Sequence, residues 1–170
     1  ECYTGIRISD ILTLKWKHIT DEKISIRMRK TEKLLSIPIN DYVRAVLDRR
    51  RCAVENNGGK ITSEKYVFNI LKVDVDEVSA QDALNAISSA TAVINKQLKK
   101  IAKKTGIDKN LSTHCARHSY ATALLTNNIP LPVIKEMLGH SDIKVTQIYA
   151  KVVDSKRNEV VECLNKVYHG

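Results

Sequence analysis

The sequence predicts an α+β domain, mainly helical, with a small three-stranded antiparallel sheet near its N-terminus. Three observations predict it. After position 40, apolar residues recur mostly at helical spacing. Between positions 15 and 39 the pattern shortens to strand-length runs, and Ile24, Ile26 and Met28 alternate with polar residues. Glycine, proline and asparagine breaks separate the segments, and no repeat or low-complexity run appears. At 170 residues and 43% hydrophobic, the chain suits one domain with a single core. Aromatics are scarce, so Leu, Ile, Val and Ala must fill that core.

The elements follow in order. Gly5 closes a first turn, and apolar positions 8, 11, 12 and 14 make a short amphipathic helix with Ser9 and Asp10 in its first turn. Lys15 to Ile19, Lys23 to Met28 and Leu34 to Ile39 read as three short strands. Thr20 to Glu22 forms the first turn, Arg29 to Lys33 forms a basic second one, and Pro38 confines the last strand to a sheet edge or a strand end. Asn40 can cap a helix from Asp41 to about Glu55, burying Val43, Val46, Leu47 and Val54, and Asn56 to Gly59 stops it. Residues 60 to 80 read as a loop with a short extended piece at Tyr66 to Phe68. A helix from about Ala80 to Lys104 carries Ile94, Leu98, Ile101 and Ala102 as its apolar stripe, and Gly106 ends it. Ser112 or Thr113 starts the next helix, to about Asn127. Pro130 and Pro132 open a short one closed by Gly139. Ile143 to Ala150 reads as helical, and Asp154 to Tyr168 as a last amphipathic helix.

Lysine and arginine number 28 against 19 acids, a net charge of +9. Such a balance fits an anionic partner, of which nucleic acid is the commonest, and fits equally a soluble basic protein without one. The lysines at 96, 99, 100, 103 and 104 form a solvated helix face that can also reach phosphate. No run approaches the roughly 20 apolar residues of a membrane helix, and Glu1 to Ile8 lacks the features of a signal peptide. The opening residues read as the end of a helix, as in a fragment of a longer protein. Cys2, Cys52, Cys115 and Cys163 are scattered without a Cys-x-x-Cys pair, which favours a reducing cytoplasm over a disulfide framework. His114 and His118 stand four apart, as zinc ligands can. No glutamate follows His114 in the His-Glu-x-x-His manner and no further ligands cluster nearby, so no metal is expected.

On the helix from Thr113, about 100° per residue brings His114, Arg117 and His118 to one face. Ala116, Tyr120, Ala123 and Leu124 lie on a different side, free to pack. Three potential cations beside a helix start suit an anion, although a plain surface patch would look the same. Other residues stand out by type: Arg7 just past a glycine turn, Lys30 in a hairpin turn, His140 after Leu138-Gly139, and Tyr149 nine residues later. Spacing alone leaves each ordinary.

Their order decides more. The sequence TGIRISDILTL at 4 to 14 resembles the first box of the tyrosine recombinase, or phage integrase, family. HCARHSYAT at 114 to 122 resembles its His-x-x-Arg box, and LGHSDIKVTQIYAKV at 138 to 152 its final box. The resemblance spans nearly the whole chain, and three ordered boxes are far more specific than any one. Ile6 stands where the family often has leucine, and Asp10 where glutamate is more usual.

The resemblance implies the DNA breaking–rejoining fold and a site-specific recombinase that cleaves and rejoins DNA through a 3′-phosphotyrosyl intermediate, in integration or excision of a mobile element. Arg7 and Arg117 would clamp the scissile phosphate, where guanidinium forks suit its oxygens. Tyr149 would be the nucleophile. His114 and His140 match positions for proton transfer and phosphate hydrogen bonding. Lys30 matches the lysine that protonates the 5′-oxygen, with Lys33 nearby in the same turn, and Asp10 matches a supporting acid. The family needs no metal, ATP or other cofactor, and no Walker-type glycine loop is present. The expected partners are double-stranded DNA and further copies in a tetramer, with the helix 154 to 168 packing either on its own domain or on a neighbour. Residues 1 to 170 would then form the catalytic domain, without the family's N-terminal core-binding domain. Two other readings stay in view: a type IB topoisomerase, which shares this chemistry, and a helix-turn-helix module over 121 to 149 that binds DNA without cutting it.

Overall fold

The computed structural model describes residues 1 to 147 and residue 149, and among these the chain is helical with one small antiparallel sheet. Helix α1 covers Ile8–Leu12, strands β1 and β2 cover Lys23–Arg27 and Leu34–Pro38, and helices α2, α3, α4, α5 and α6 cover Asp41–Asn56, Ala80–Lys104, Thr113–Thr126, Leu131–Leu138 and Lys144–Gln147. No helix among the described residues is long and apolar enough to cross a membrane. Cys2, Cys52 and Cys115 are free thiols.

The sheet has two strands rather than three. Residues 15 to 19, expected as a strand, form a 3₁₀ turn over Trp16–His18 instead. The hydrogen bonds explain it. The Lys15 amide donates to the ring nitrogen Nδ1 of His18, 3.1 Å away, closing the turn locally. The Trp16 and Lys17 amides donate to the carbonyls of Lys65 and Ser63. What remains of the strand is a bridge at each end, Lys15 with Tyr66 and Ile19 with Ile24. The extended piece expected at Tyr66 to Phe68 thus finds its partner in this turn.

β1 and β2 pair in the register Ile24 with Ile37 and Ile26 with Leu35. All four side chains are buried while their neighbours face outward, the alternation of a one-sided sheet. Met28 continues the inward row and is buried too. The sheet face packs on Val43 and Leu47 of α2, with Ile6, Leu14, Trp16 and Val67 completing that core. Asn40 caps α2 as expected, its side-chain oxygen accepting from the Val43 amide at 3.0 Å.

α3 has the expected bounds, with Ser79 as its cap. Its packing differs from the expected stripe. Ile101 is 52% exposed, and the buried positions are Ala83, Ile87 and Ala102. The helix changes partners along its length. Its first half packs with Leu12, Leu71 and Val75, whereas its second half meets α4, where the Asn95 side-chain oxygen accepts from the Thr113 amide at 2.9 Å. Asn95 and Ala102 are seven residues apart, two turns on one face, and Ile101 falls about 100° to the side of it.

α4 and α5 form a third cluster from Tyr120, Ala121, Ile134, Leu138 and Tyr149. Tyr120 packs as expected, but Ala123 is exposed and Ala121 takes the inward position. α5 ends at Gly139 in the left-handed conformation, φ 61°. Beyond it, only Lys144–Gln147 of the helix expected over Ile143 to Ala150 is seen among the described residues. The last predicted helix, 154 to 168, lies outside them.

Candidate active site

Five separate segments converge on one cleft of about 330 Å³, lined by Arg7, Lys30, Thr31, His114, Arg117, His118, His140, Ser141 and Tyr149. All six residues singled out as catalytic candidates from the sequence are in it. Asp10 is not, and Lys33 lines a neighbouring groove beside Lys135, Glu136 and Gly139. Of the two lysines of that turn, Lys30 is the one that lines the cleft.

The junction is built around Arg117. Its side chain is 5% exposed. One guanidinium nitrogen donates to the Gly5 carbonyl, and the other to the Leu138 carbonyl at 2.6 Å. A single side chain from α4 thus ties together the turn before α1 and the end of α5. Gly5 must be glycine for this approach. Its φ is +64°, and a Cβ there would run into the Tyr120 ring and Leu138. Gly139 is constrained likewise, because a Cβ there would strike the side chain of Met28. Met28 in turn lies under the cleft, with Arg7 Nη1 3.3 Å from its sulfur.

Burial, together with the charge of Arg7, lowers the pKa of Arg117 to about 10. It stays cationic at neutral pH, with donors beyond the two already bonded to carbonyls. Arg7, half-buried at the start of α1, and Lys30, exposed at the hairpin tip, add two more cations. Such a cleft suits an anion with several oxygens.

Asp10 stands behind the cations, 3% exposed. Its carboxyl reaches the hairpin turn. Oδ1 accepts from the Arg29 amide at 3.0 Å, so α1 holds the backbone of the turn that carries Lys30. Oδ2 is buried and has no hydrogen-bond partner among the described residues. Burial raises the Asp10 pKa, against the pull of the Arg29 amide and of Arg7, Arg117 and Arg29.

His140 is 9% exposed, and its Nδ1 lies 2.9 Å from the hydroxyl of Thr146, itself fully buried. Burial first, then the charges of Arg117, Arg7, His118 and Lys30, lowers its pKa to about 4, so the ring is neutral at pH 7. Tyr149 is 6% exposed, against Tyr120, Ala121, Ile134 and Leu138. Burial raises its pKa while Arg117 pulls it down. Its hydroxyl lies 2.8 Å from Nδ1 of His118. His114 is exposed at the cleft edge, its ring 6.0 Å from that of His118.

Two contributors went unread in the sequence. His118 was visible only as a third cation on the His114 face, and its reach to Tyr149 depends on how α6 folds back. Thr146 carried no signal beyond lying six residues after His140. Among the described residues, no group of three or more His, Cys, Asp or Glu side chains could hold a metal ion.

Comparison with known proteins gives a consistent result. The phage integrase family matches residues 2–156. The tyrosine recombinase XerD of Listeria monocytogenes is 48% identical over 160 residues, which cover 92% of this chain and 49% of that protein. The tyrosine recombinase XerA of Saccharolobus solfataricus is 30% identical over 163 residues, covering 95% of this chain and 47% of its own. The chain thus spans about half the length of these curated relatives. Among solved structures, a XerA recombinase superposes with a TM-score of 0.67 at 23% identity, covering 99% of this chain and 55% of that one. The Tn1549 transposon integrase in complex with transposon right end DNA gives 0.61 at 19%, covering 95% and 56%. At these identities the superpositions speak for the fold.

Proposed function

The chain belongs to the phage integrase family, and on that premise we propose that it is the catalytic domain of a site-specific recombinase that cuts and rejoins double-stranded DNA, in integration or excision of a mobile element. The observation that carries the proposal is the convergence of Arg7, Lys30, His114, Arg117, His140 and Tyr149 on one cationic cleft. DNA as the partner draws on the integrase bound to transposon end DNA, whose fold this chain shares.

The chemistry follows from the side chains. Arg7 and Arg117 hold the non-bridging oxygens of the scissile phosphate and stabilise the added charge of the pentavalent transition state. Because Arg117 is already anchored on two backbone carbonyls, it needs little reorganisation when the phosphate arrives. Tyr149 Oη attacks phosphorus. A 3′-phosphotyrosyl bond forms, the bond to the 5′-oxygen breaks, and Lys30 gives that oxygen its proton. The cleft histidines carry proton transfer and hydrogen bonding to phosphate. His140, neutral and with Nδ1 against Thr146, has its other ring nitrogen left to donate to a phosphate oxygen. The covalent link conserves the phosphodiester bond energy, so rejoining by attack of a 5′-hydroxyl requires neither ATP nor a metal.

The longer protein carries a core-binding domain that closes on the other side of the DNA, and acts in the cytoplasm as a tetramer on two duplexes.

Covalent trapping tests the reading. The full-length protein is incubated with a nicked suicide duplex carrying its element's end, and adducts are sought on a denaturing gel. Wild type gives an adduct and Tyr149→Phe none. DNA binding without any adduct would favour a non-cutting binding module, and an adduct surviving in Tyr149→Phe would move the nucleophile elsewhere.

A further inference from the structure

The two arginines of the cleft are held in different ways. Arg117 is anchored on the Gly5 and Leu138 carbonyls. Arg7 donates to no backbone carbonyl among the described residues, and no ion pair forms on it there. Asp10, three residues on, directs Oδ1 to the Arg29 amide instead. What meets the Arg7 guanidinium is a thioether: Nη1 lies 3.3 Å from the sulfur of Met28.

Met28 is itself held along its whole length. It follows β1 directly and is buried. Its backbone closes the hairpin turn, the amide donating to the Lys33 carbonyl at 2.9 Å and the carbonyl accepting from the Glu32 amide at 2.8 Å. Its side chain runs under Gly139, where a Cβ would strike both the sulfur and the methyl group. The Thr31 hydroxyl, on the cleft wall beside Lys30, stands 3.9 Å from the same sulfur. Methionine is ordinarily the adaptable filler of a core. Here it is gripped from backbone to methyl, so its sulfur has a fixed place.

We propose that Met28 is a positioning residue for strand cleavage: its sulfur sets the plane of the Arg7 guanidinium so that the remaining donors of the fork face the scissile phosphate. The proposal rests on the recombinase reading and adds a residue to its phosphate grip. A guanidinium carries its donors in one rigid plane, so fixing one donor orients the rest. A carboxylate in this place would orient the fork as well, but it would offset the charge meant for the phosphate and compete for the same donors. A thioether is neutral and a weak acceptor. It aims the arginine without holding it back. A leucine would fill the same space and orient nothing.

The experiment compares full-length wild type, Met28→Leu, Met28→Gln, Arg7→Lys and the double variant Met28→Leu with Arg7→Lys. Cleavage rate, DNA affinity and melting temperature are measured for each, on nicked suicide duplexes with a natural or a sulfur-bridged 5′ leaving group. A thiolate leaves without an acid, so the sulfur substrate separates the phosphate grip from the part played by Lys30. Met28→Leu conserves volume and should melt close to wild type. It should bind DNA with unchanged affinity yet cleave about 10-fold more slowly on both substrates, as for one hydrogen bond lost from the transition state. Met28→Gln returns a neutral acceptor at similar reach but buries an amide. It should melt lowest and still cleave faster than Met28→Leu, an order that a role in packing alone would reverse. Arg7→Lys has no planar fork to orient, so adding Met28→Leu to it should slow cleavage by less than about 2-fold further. Wild-type cleavage by Met28→Leu, rates that follow melting temperature across the series, or an undiminished loss in the Arg7→Lys background would each overturn the assignment. Recovery of Met28→Leu on the sulfur substrate would overturn it too, by placing the effect in the turn that carries Lys30. A wild type that forms no adduct would instead refute the recombinase reading itself.

Discussion

Replacing Asp10 by asparagine and by alanine separates two roles the structure gives it. One is the tether, Oδ1 accepting from the Arg29 amide at 3.0 Å, which holds the hairpin turn against α1. The other is charge, a carboxylate beside Arg7, Arg29 and Arg117. The two have opposite signs. Burial outweighs the cations and raises the pKa, and Oδ2 has no partner among the described residues, so ionisation is disfavoured in the fold relative to the unfolded chain. Asp10→Asn keeps an acceptor of the same shape and removes the charge, and should change stability by less than about 1 kcal/mol. Asp10→Ala removes the acceptor too. A hydrogen bond to a charged group contributes about 1.5–3 kcal/mol, and the orphaned amide adds to the loss, so about 2–3 kcal/mol is expected. Urea denaturation at pH 7 reads both numbers. In cleavage, the loosened turn should misplace Lys30, so the Asp10→Ala defect should be largely relieved by a sulfur-bridged 5′ leaving group. Equal destabilisation by the two variants would refute the tether, and a loss above 2 kcal/mol in Asp10→Asn would refute the sign assigned to the charge.

Gly139→Ala forces a left-handed residue at about 1–2 kcal/mol and pushes a methyl into Met28 at about 1–3 kcal/mol, so thermal melting should show a loss of several kcal/mol, partly recovered by shortening Met28. Thr146→Val keeps the shape but strips the His140 Nδ1 of its partner. Stability should fall by about 1–2 kcal/mol, and cleavage should fall without loss of DNA affinity, with a shifted ring-nitrogen NMR signal marking the changed tautomer. His140 also sets an acid limit. Its pKa drops from 6.5 to about 4 on folding, so between those values the unfolded state binds more protons and stability falls as the pH is lowered. The contribution is on the order of 3 kcal/mol, and denaturation of wild type against His140→Gln at pH 7 and pH 4.5 should show the wild type losing more.

Local signals in the chain carried most of the helices because caps and breaks are local. Asn40 and Gly139 each terminate an element by their own geometry, and each acts as its residue type suggests. The third strand failed for an equally physical reason. Whether residues 15 to 19 join the sheet depends on a competition the local pattern cannot express, between pairing with β1 and donating to His18 and to the carbonyls of Ser63 and Lys65. Ile101 failed in the same way, since the turn at which α3 exchanges one neighbour for another is a property of what packs against it.

The site divides along the same line. Arg7, Lys30, His114, Arg117, His140 and Tyr149 were legible as an ordered set, and the fold brings them to one cleft. Their supports were not legible, because each works through something sequence leaves unmarked: a backbone carbonyl for Arg117, a backbone amide for Asp10, a hydroxyl for His140, a methionine under Arg7. Arg117 shows why the distinction matters for experiment. Its two donors to Gly5 and Leu138 make it part of the framework, so Arg117→Ala would orphan two buried carbonyls and loosen three segments at once. A lost activity in that variant would report collapse of the site as much as loss of a phosphate contact. Arg7, which donates to no backbone carbonyl among the described residues, is the cleaner probe of charge in the transition state: Arg7→Lys should lower the cleavage rate while leaving the melting temperature within about 2 °C of wild type, and a larger shift would mean that its contact with Met28 also supports the fold.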